Sequence, residues 1–218
     1  MSTIINATEA RVLGSLVEKQ LTTPEYYPLT LNALTAACNQ KSNREPVMSL
    51  GESEILAAID SLRDKNLVYL YYGSSSRTVK YKHMLPTVFD LDAAGVAVVA
   101  LLLLRGPQTV GELRGRSDRL YEFGGLGEVQ ETLDELASRP EPLIVKLERQ
   151  PGQKESRFAH LLSGPVEVAA YLGSGSDAPA NSGSTSSRIE RLENEVAELR
   201  AEIETIKSAV DDFKKQFE

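Results

Sequence analysis

A triplet of aliphatic residues recurs in this chain at matching intervals, and that recurrence restricts the fold more than any other feature. Ile55, Ile59 and Leu62 fall on one face of a helix and are followed by a strand-like run at residues 68–72. Val129, Leu133 and Leu136 repeat the spacing 74 residues later, ahead of a second strand-like run at 143–147. Each of these helices follows two shorter helical patterns, and each strand passes through a polar turn into another strand. Helix, helix, helix, strand, turn, strand is the order of a winged helix. The sequence therefore predicts an α+β chain, mainly α, built from two such domains in tandem.

The same pattern sets the boundaries. Residues 1–86 read as the first winged-helix domain and 87–172 as the second, with a Ser/Gly-rich flexible linker at 173–187 and a coiled-coil helix at 188–218. Asn6 with Glu9, Ser49 with Glu52 and Thr109 with Glu112 all have capping-box spacing at expected helix starts. Thr30 is placed to cap the second helix. Asp90 is placed to cap a helix from Leu91 to Arg105, which Gly106 and Pro107 end. The return strands are expected at 78–83 and 157–161.

Composition narrows the function classes. Net charge is −7 over 218 residues, and residues 174–218 hold 6 basic against 10 acidic side chains, so the remainder is near neutral. A bulk electrostatic pull toward nucleic acid is absent, and any such contact must come from a local patch. The single Cys38 forbids an intrachain disulfide and suits a reducing cytoplasm. Its position on an apolar helical face predicts a buried side chain in preference to a reactive thiol. The most apolar run, residues 93–104, is far shorter than the ~20 residues a membrane span needs, and the start shows no signal-peptide pattern. A cytoplasmic protein with no membrane partner is expected. His83 and His160 lie in strand patterns without metal-ligand spacing, and no P-loop, nucleophile elbow or dinucleotide fingerprint occurs. No catalytic residue, cofactor or metal is expected.

Two stretches carry a family resemblance. Thr22-Thr23-Pro24-Glu25-Tyr26-Tyr27-Pro28-Leu29-Thr30-Leu31-Asn32-Ala33-Leu34 resembles the YceH family of bacterial proteins, as does Ala36-Ala37-Cys38-Asn39-Gln40-Lys41-Ser42-Asn43-Arg44-Glu45-Pro46-Val47. The likeness covers about residues 7–172. It implies paired winged-helix domains and assigns no catalytic role.

The candidate binding residues are local. Residues 39–47 form a longer connection than the three or four residues of an ordinary helix-turn-helix. On one reading Lys41 and Arg44 touch phosphate and Asn43 reaches a base edge. On the other, the loop's polar groups satisfy its own backbone. Arg77, Lys80 and Lys82 mark the first wing, where they suit either phosphate contact or a solvated strand edge. Arg149, Lys154 and Arg157 mark the second, diluted by Glu148 and Glu155. Both third helices are acidic, through Glu52, Glu54, Asp60 and Asp64 in one and Glu128, Glu131, Asp134 and Glu135 in the other. Acids in a first turn complement the helix dipole, but those farther along would repel phosphate in a major groove.

The clearest periodicity closes the chain. Ile189, Leu192, Val196, Leu199, Ile203, Ile206, Val210, Phe213 and Phe217 alternate steps of three and four, a coiled-coil stripe that predicts self-association as a parallel dimer. Two functions fit these features. One is a dimeric DNA-binding transcriptional regulator. The other is a protein–protein adaptor whose acidic helix faces take a basic partner without touching DNA.

Overall fold

The computed structural model describes residues 4–73, 78–149 and 153–166. Arg77, the linker and the coiled-coil stripe lie outside them. The described helices are α1 (Ala7–Thr22), α2 (Leu31–Cys38), α3 (Glu52–Asp64), α4 (Leu85–Phe89), α5 (Ala93–Arg105), α6 (Val110–Ser117) and α7 (Leu126–Ser138). The strands are β1 (Leu29–Thr30), β2 (Val68–Tyr71), β3 (Lys80–His83), β4 (Ile144–Lys146) and β5 (Phe158–His160). The chain is thus α+β, with small antiparallel sheets ordered β1-β3-β2 and β4-β5.

Capping chemistry starts three of the described helices where the sequence places them. Asn6 and Glu9 exchange side-chain to backbone bonds of 2.9 Å each, which opens α1. Thr30 accepts from the Ala33 amide to open α2, and Thr109 with Glu112 closes a capping box on α6. Two starts differ from the spacing. Ser49 does not open α3, because the Asn39 side chain holds both the amide and the carbonyl of Leu50, at 2.7 and 2.8 Å. Residue 50 is therefore committed to the loop, and α3 begins after Gly51, whose amide donates to Glu54. Asp90 does not cap α5 either. It ends the short helix α4 in the left-handed region at φ 48°, a conformation Asp tolerates better than most residues. Asp92 is the cap, accepting from Gly95 at 2.8 Å.

The two ribbons pair in matching register. Leu29 precedes the α2 cap and pairs with Tyr81; Gln108 precedes the α6 cap and pairs with Phe158. Val68 pairs with His83, and Ile144 pairs with His160. The third strand of the second half has shrunk to that single Gln108 bridge.

The two halves share one core. The described residues belong to one compact unit, and its buried cluster runs unbroken past the boundary expected near residue 86. Helix α1, buried from Glu9 to Glu18, lies against α5, which explains why α5 is apolar on every face. At 13 residues α5 is a core helix, and no described helix is long and apolar enough to cross a membrane. Gly14 permits the close approach: a Cβ there would stand 2.9 Å from Leu104 Cγ and 3.1 Å from Leu103 Cβ. Gly14→Val is expected to lower the unfolding free energy by about 1–3 kcal/mol through overpacking. Gly115→Ala, whose methyl meets nothing within 4 Å, is expected to be neutral or to stabilise by under about 1 kcal/mol. Urea titration of the two variants checks both.

Candidate nucleic-acid interface

The loop between α2 and α3 is built around two buried guanidinium groups. Arg44 is 4% exposed, and it reaches inward to α1, where it meets the Glu18 carboxylate at 2.6 and 2.9 Å. Its remaining donor capacity goes to the carbonyls of Ala37 and Asn43 and to Gln40 Oε1. Arg11 of α1 donates to the carbonyls of Cys38 and Pro46 at the two ends of the same loop. The fold thus uses Arg44 to satisfy the backbone of residues 37–46, and removes it from the phosphate-contacting set. An Arg inside the apolar run of α1 was the sequence signal for this arrangement, and spacing alone did not show its partner.

Asn43 is turned to structural use as well. It takes a left-handed φ of 58°, and its Oδ1 accepts from Arg105 of α5 at 2.9 Å. Lys41 remains exposed on the loop. Cys38 is fully buried, and burial raises its thiol to about 11, so it does not react as a thiolate near neutral pH.

The first ribbon holds Lys80 and Lys82 outside any ion pair among the described residues. Antiparallel pairing sets Tyr69 opposite Lys82 and Tyr71 opposite Lys80, while Val68, Tyr81 and His83 turn into the core. Alternation along β2 and β3 therefore places two tyrosines and two lysines on one outer face. Tyr69 is 51% exposed, Tyr71 47%, and Lys82 is exposed. Arg63, Arg114, Arg116 and Arg157 are held in ion pairs, whereas Lys80 and Lys82 make none among the described residues. The tyrosines of this face were visible in the sequence only as strand formers; register was needed to put them beside the lysines.

The second ribbon is committed differently. Arg157 donates to both Glu112 oxygens, at 2.8 and 3.2 Å, and to the Pro107 carbonyl, tying the ribbon to α6. Arg149 and Lys154 stay exposed at its turn. Beside this ribbon lies an open groove of about 430 Å³ lined by Val110, Leu126, Gln130, Lys146 and Phe158. The outer faces of α3 and α7 are acidic, with Glu52, Asp60, Asp64, Glu131, Asp134 and Glu135 all exposed. Glu128 instead serves the start of α7, accepting from the Gly124 amide and the Tyr121 hydroxyl.

Residues 5–153 match the family described as "Protein of unknown function, DUF480". The chain belongs to the DUF480 family. A UPF0502 protein of Pelobacter propionicus is 50% identical to it over 222 residues, covering 100% of each chain. Another of Geobacter sulfurreducens is 49% identical over 220 residues, again covering 100% of each. One of Vibrio atlanticus is 46% identical over 216 residues, 97% of this chain and 99% of the relative. The DUF480 match runs from the start of α1 past β4, and so takes in the arginine-held loop and the whole first ribbon.

Removing Arg44 leaves the buried Glu18 carboxylate, among the described residues, with only the more distant Lys19, at 3.8 Å. Arg44→Ala is expected to cost about 3–5 kcal/mol of stability, while Lys41→Ala is expected to leave the thermal midpoint unchanged; calorimetry of the two variants separates them. The equivalent histidines give a second expectation for this DUF480 chain. Burial, with Lys82 nearby, depresses His83 to about 4, and burial depresses His160 to about 4. An unfolded histidine titrates near ~6.5, so on acidification below that value the unfolded state takes up protons first. Stability is complete above about pH 6.5 and is lost toward pH 4, at up to about 1.4 kcal/mol per pH unit for each histidine. Denaturation at neutral pH and near pH 5 measures the slope, which His83→Asn should reduce.

Proposed function

We propose that this DUF480 chain is a non-catalytic, tandem winged-helix protein that binds DNA through the outer face of its first ribbon, with the third helices held away from the groove. The observation that carries the reading is the pair Lys80, half-buried, and Lys82, exposed, which share one outer face and make no ion pair among the described residues. Two further facts support it. Arg44 is consumed inside the fold, and α3 carries exposed acids along its length, so insertion of α3 beside phosphates would be repulsive. A ribbon grip on the backbone avoids that repulsion. The stripe from Ile189 to Phe217 supports a dimer, which would double the number of phosphate contacts and set their spacing.

The exposed acids of α7 favour a second reading, an adaptor that docks a basic protein segment. Affinity for mixed duplex DNA across a salt series separates the two. On the first reading log affinity falls linearly with log salt, and Lys80→Ala with Lys82→Ala flattens the slope by about 1.8 per ribbon engaged. Absence of duplex binding at low salt, with binding of a lysine-rich peptide, moves the function to the adaptor.

A further inference from the structure

The face that carries the two lysines also carries two tyrosines, and their placement says more than positive charge does. We infer that this face takes unpaired bases: a single strand of nucleic acid lies across β2 and β3, bases against Tyr69 and Tyr71, phosphates beside Lys80 and Lys82. The inference rests on the DNA-binding reading above and names the form of nucleic acid that this site selects.

Geometry supplies the first argument. Tyr69 and Tyr71 are two residues apart on one strand, hence separated by about 6.8 Å. Bases stacked in a duplex lie ~3.4 Å apart with their faces covered, so a pair of rings at twice that spacing meets no free base face there. In an unpaired strand the bases open out, and successive ones can each take a ring. Every base has a π-face, so such a platform is tolerant of sequence. The direct cross-strand partners of the two tyrosines are the two lysines, within about 5.5 Å between Cα atoms. A backbone running beside the stacked bases therefore passes the ammonium groups.

The second half of the molecule offers a comparison. Aligning the ribbons by their histidine pairs, Val68 with His83 against Ile144 with His160, puts Val145 where Tyr69 stands and Ala159 where Lys82 stands. Leu147 then matches Tyr71, and Arg157, held by Glu112, matches Lys80. The second ribbon has neither an exposed tyrosine nor a free cation at these four positions, and it covers the face that the first leaves open: Ala159 is buried and Val145 half-buried. On the first ribbon Tyr69, Tyr71 and Lys82 stand exposed with Lys80 beside them, a set that suits a ligand with flat apolar faces and regularly spaced negative charge.

The test is binding of the full chain to an oligothymidylate and to a mixed duplex at low salt, read by anisotropy of labelled nucleic acid. The wild type is expected to bind the oligothymidylate at least as tightly as the duplex. Tyr69→Leu with Tyr71→Leu is expected to weaken the oligothymidylate by at least about tenfold and leave the duplex within about twofold. Lys80→Ala with Lys82→Ala should weaken both. The chain has no Trp and 8 Tyr, so a wild-type readout is available should the tyrosine variant misfold: oligothymidylate should quench tyrosine emission as it saturates. Duplex binding without single-strand binding overturns this inference and leaves the DNA-binding reading intact. So does an equal loss on both ligands in a folded tyrosine variant, or saturation without quenching. Binding to neither nucleic acid, with capture of a lysine-rich peptide instead, overturns both.

Discussion

The buried ion pair between Glu18 and Arg44 is the contact on which the surrounding structure depends. A chain of residues 39–51 without helix or strand presents carbonyls and amides that must find partners once buried. Arg44 offers five N–H donors in a rigid fork, and every one is used, on a carboxylate, two backbone carbonyls and a side-chain amide. Arg11 closes two more carbonyls from the other side. Desolvating a guanidinium is costly unless its donors are met and a counter-charge is close; both conditions hold for Arg44, whereas Arg11 meets only carbonyls and its Nε is left without a partner among the described residues. The loop then becomes a fixed surface on α1, and α5 packs beside it, with the Glu45 amide donating to the Leu104 carbonyl at 2.9 Å. The join between the halves is therefore made of α1, the loop and α5 together.

Although the halves are joined in this way, their two ribbons are not equivalent. The shared positions are those that build the ribbon: a capped second helix, an aliphatic face on the third, and a histidine at the inner end of the return strand. The positions that differ face outward on the first ribbon, whereas on the second Ala159 is buried. Where the first ribbon has a free lysine, the second has an arginine locked to Glu112; where the first has a tyrosine, the second has a valine.

Capping pairs at Asn6 and Thr109, the aliphatic triplets, and the strand runs were legible because each depends on residues within one helical turn or one strand. The spacing failed at Ser49 and Asp90 for a related reason. Asn39 lies eleven residues from Leu50 yet takes both of its backbone groups, and the left-handed Asp90 is held by Arg139, which reaches the Phe89 and Asp90 carbonyls from the end of α7. Local chemistry cannot anticipate a competitor that arrives from another element.

Charge followed the same division. Acidic third helices and a basic ribbon could be written down from residue order alone, since helical and strand periods fix which side chains share a face. Which of the cations stays free could not. Lys41, Arg44, Lys80, Lys82 and Arg157 look alike along the chain, and packing alone sorted them, drawing two arginines to carboxylates and carbonyls distant in sequence while Lys41 and Lys82 stay exposed and Lys80 half-buried. An ion pair forms wherever the folded backbone brings a fork and a carboxylate within reach, and that distance is a property of three dimensions.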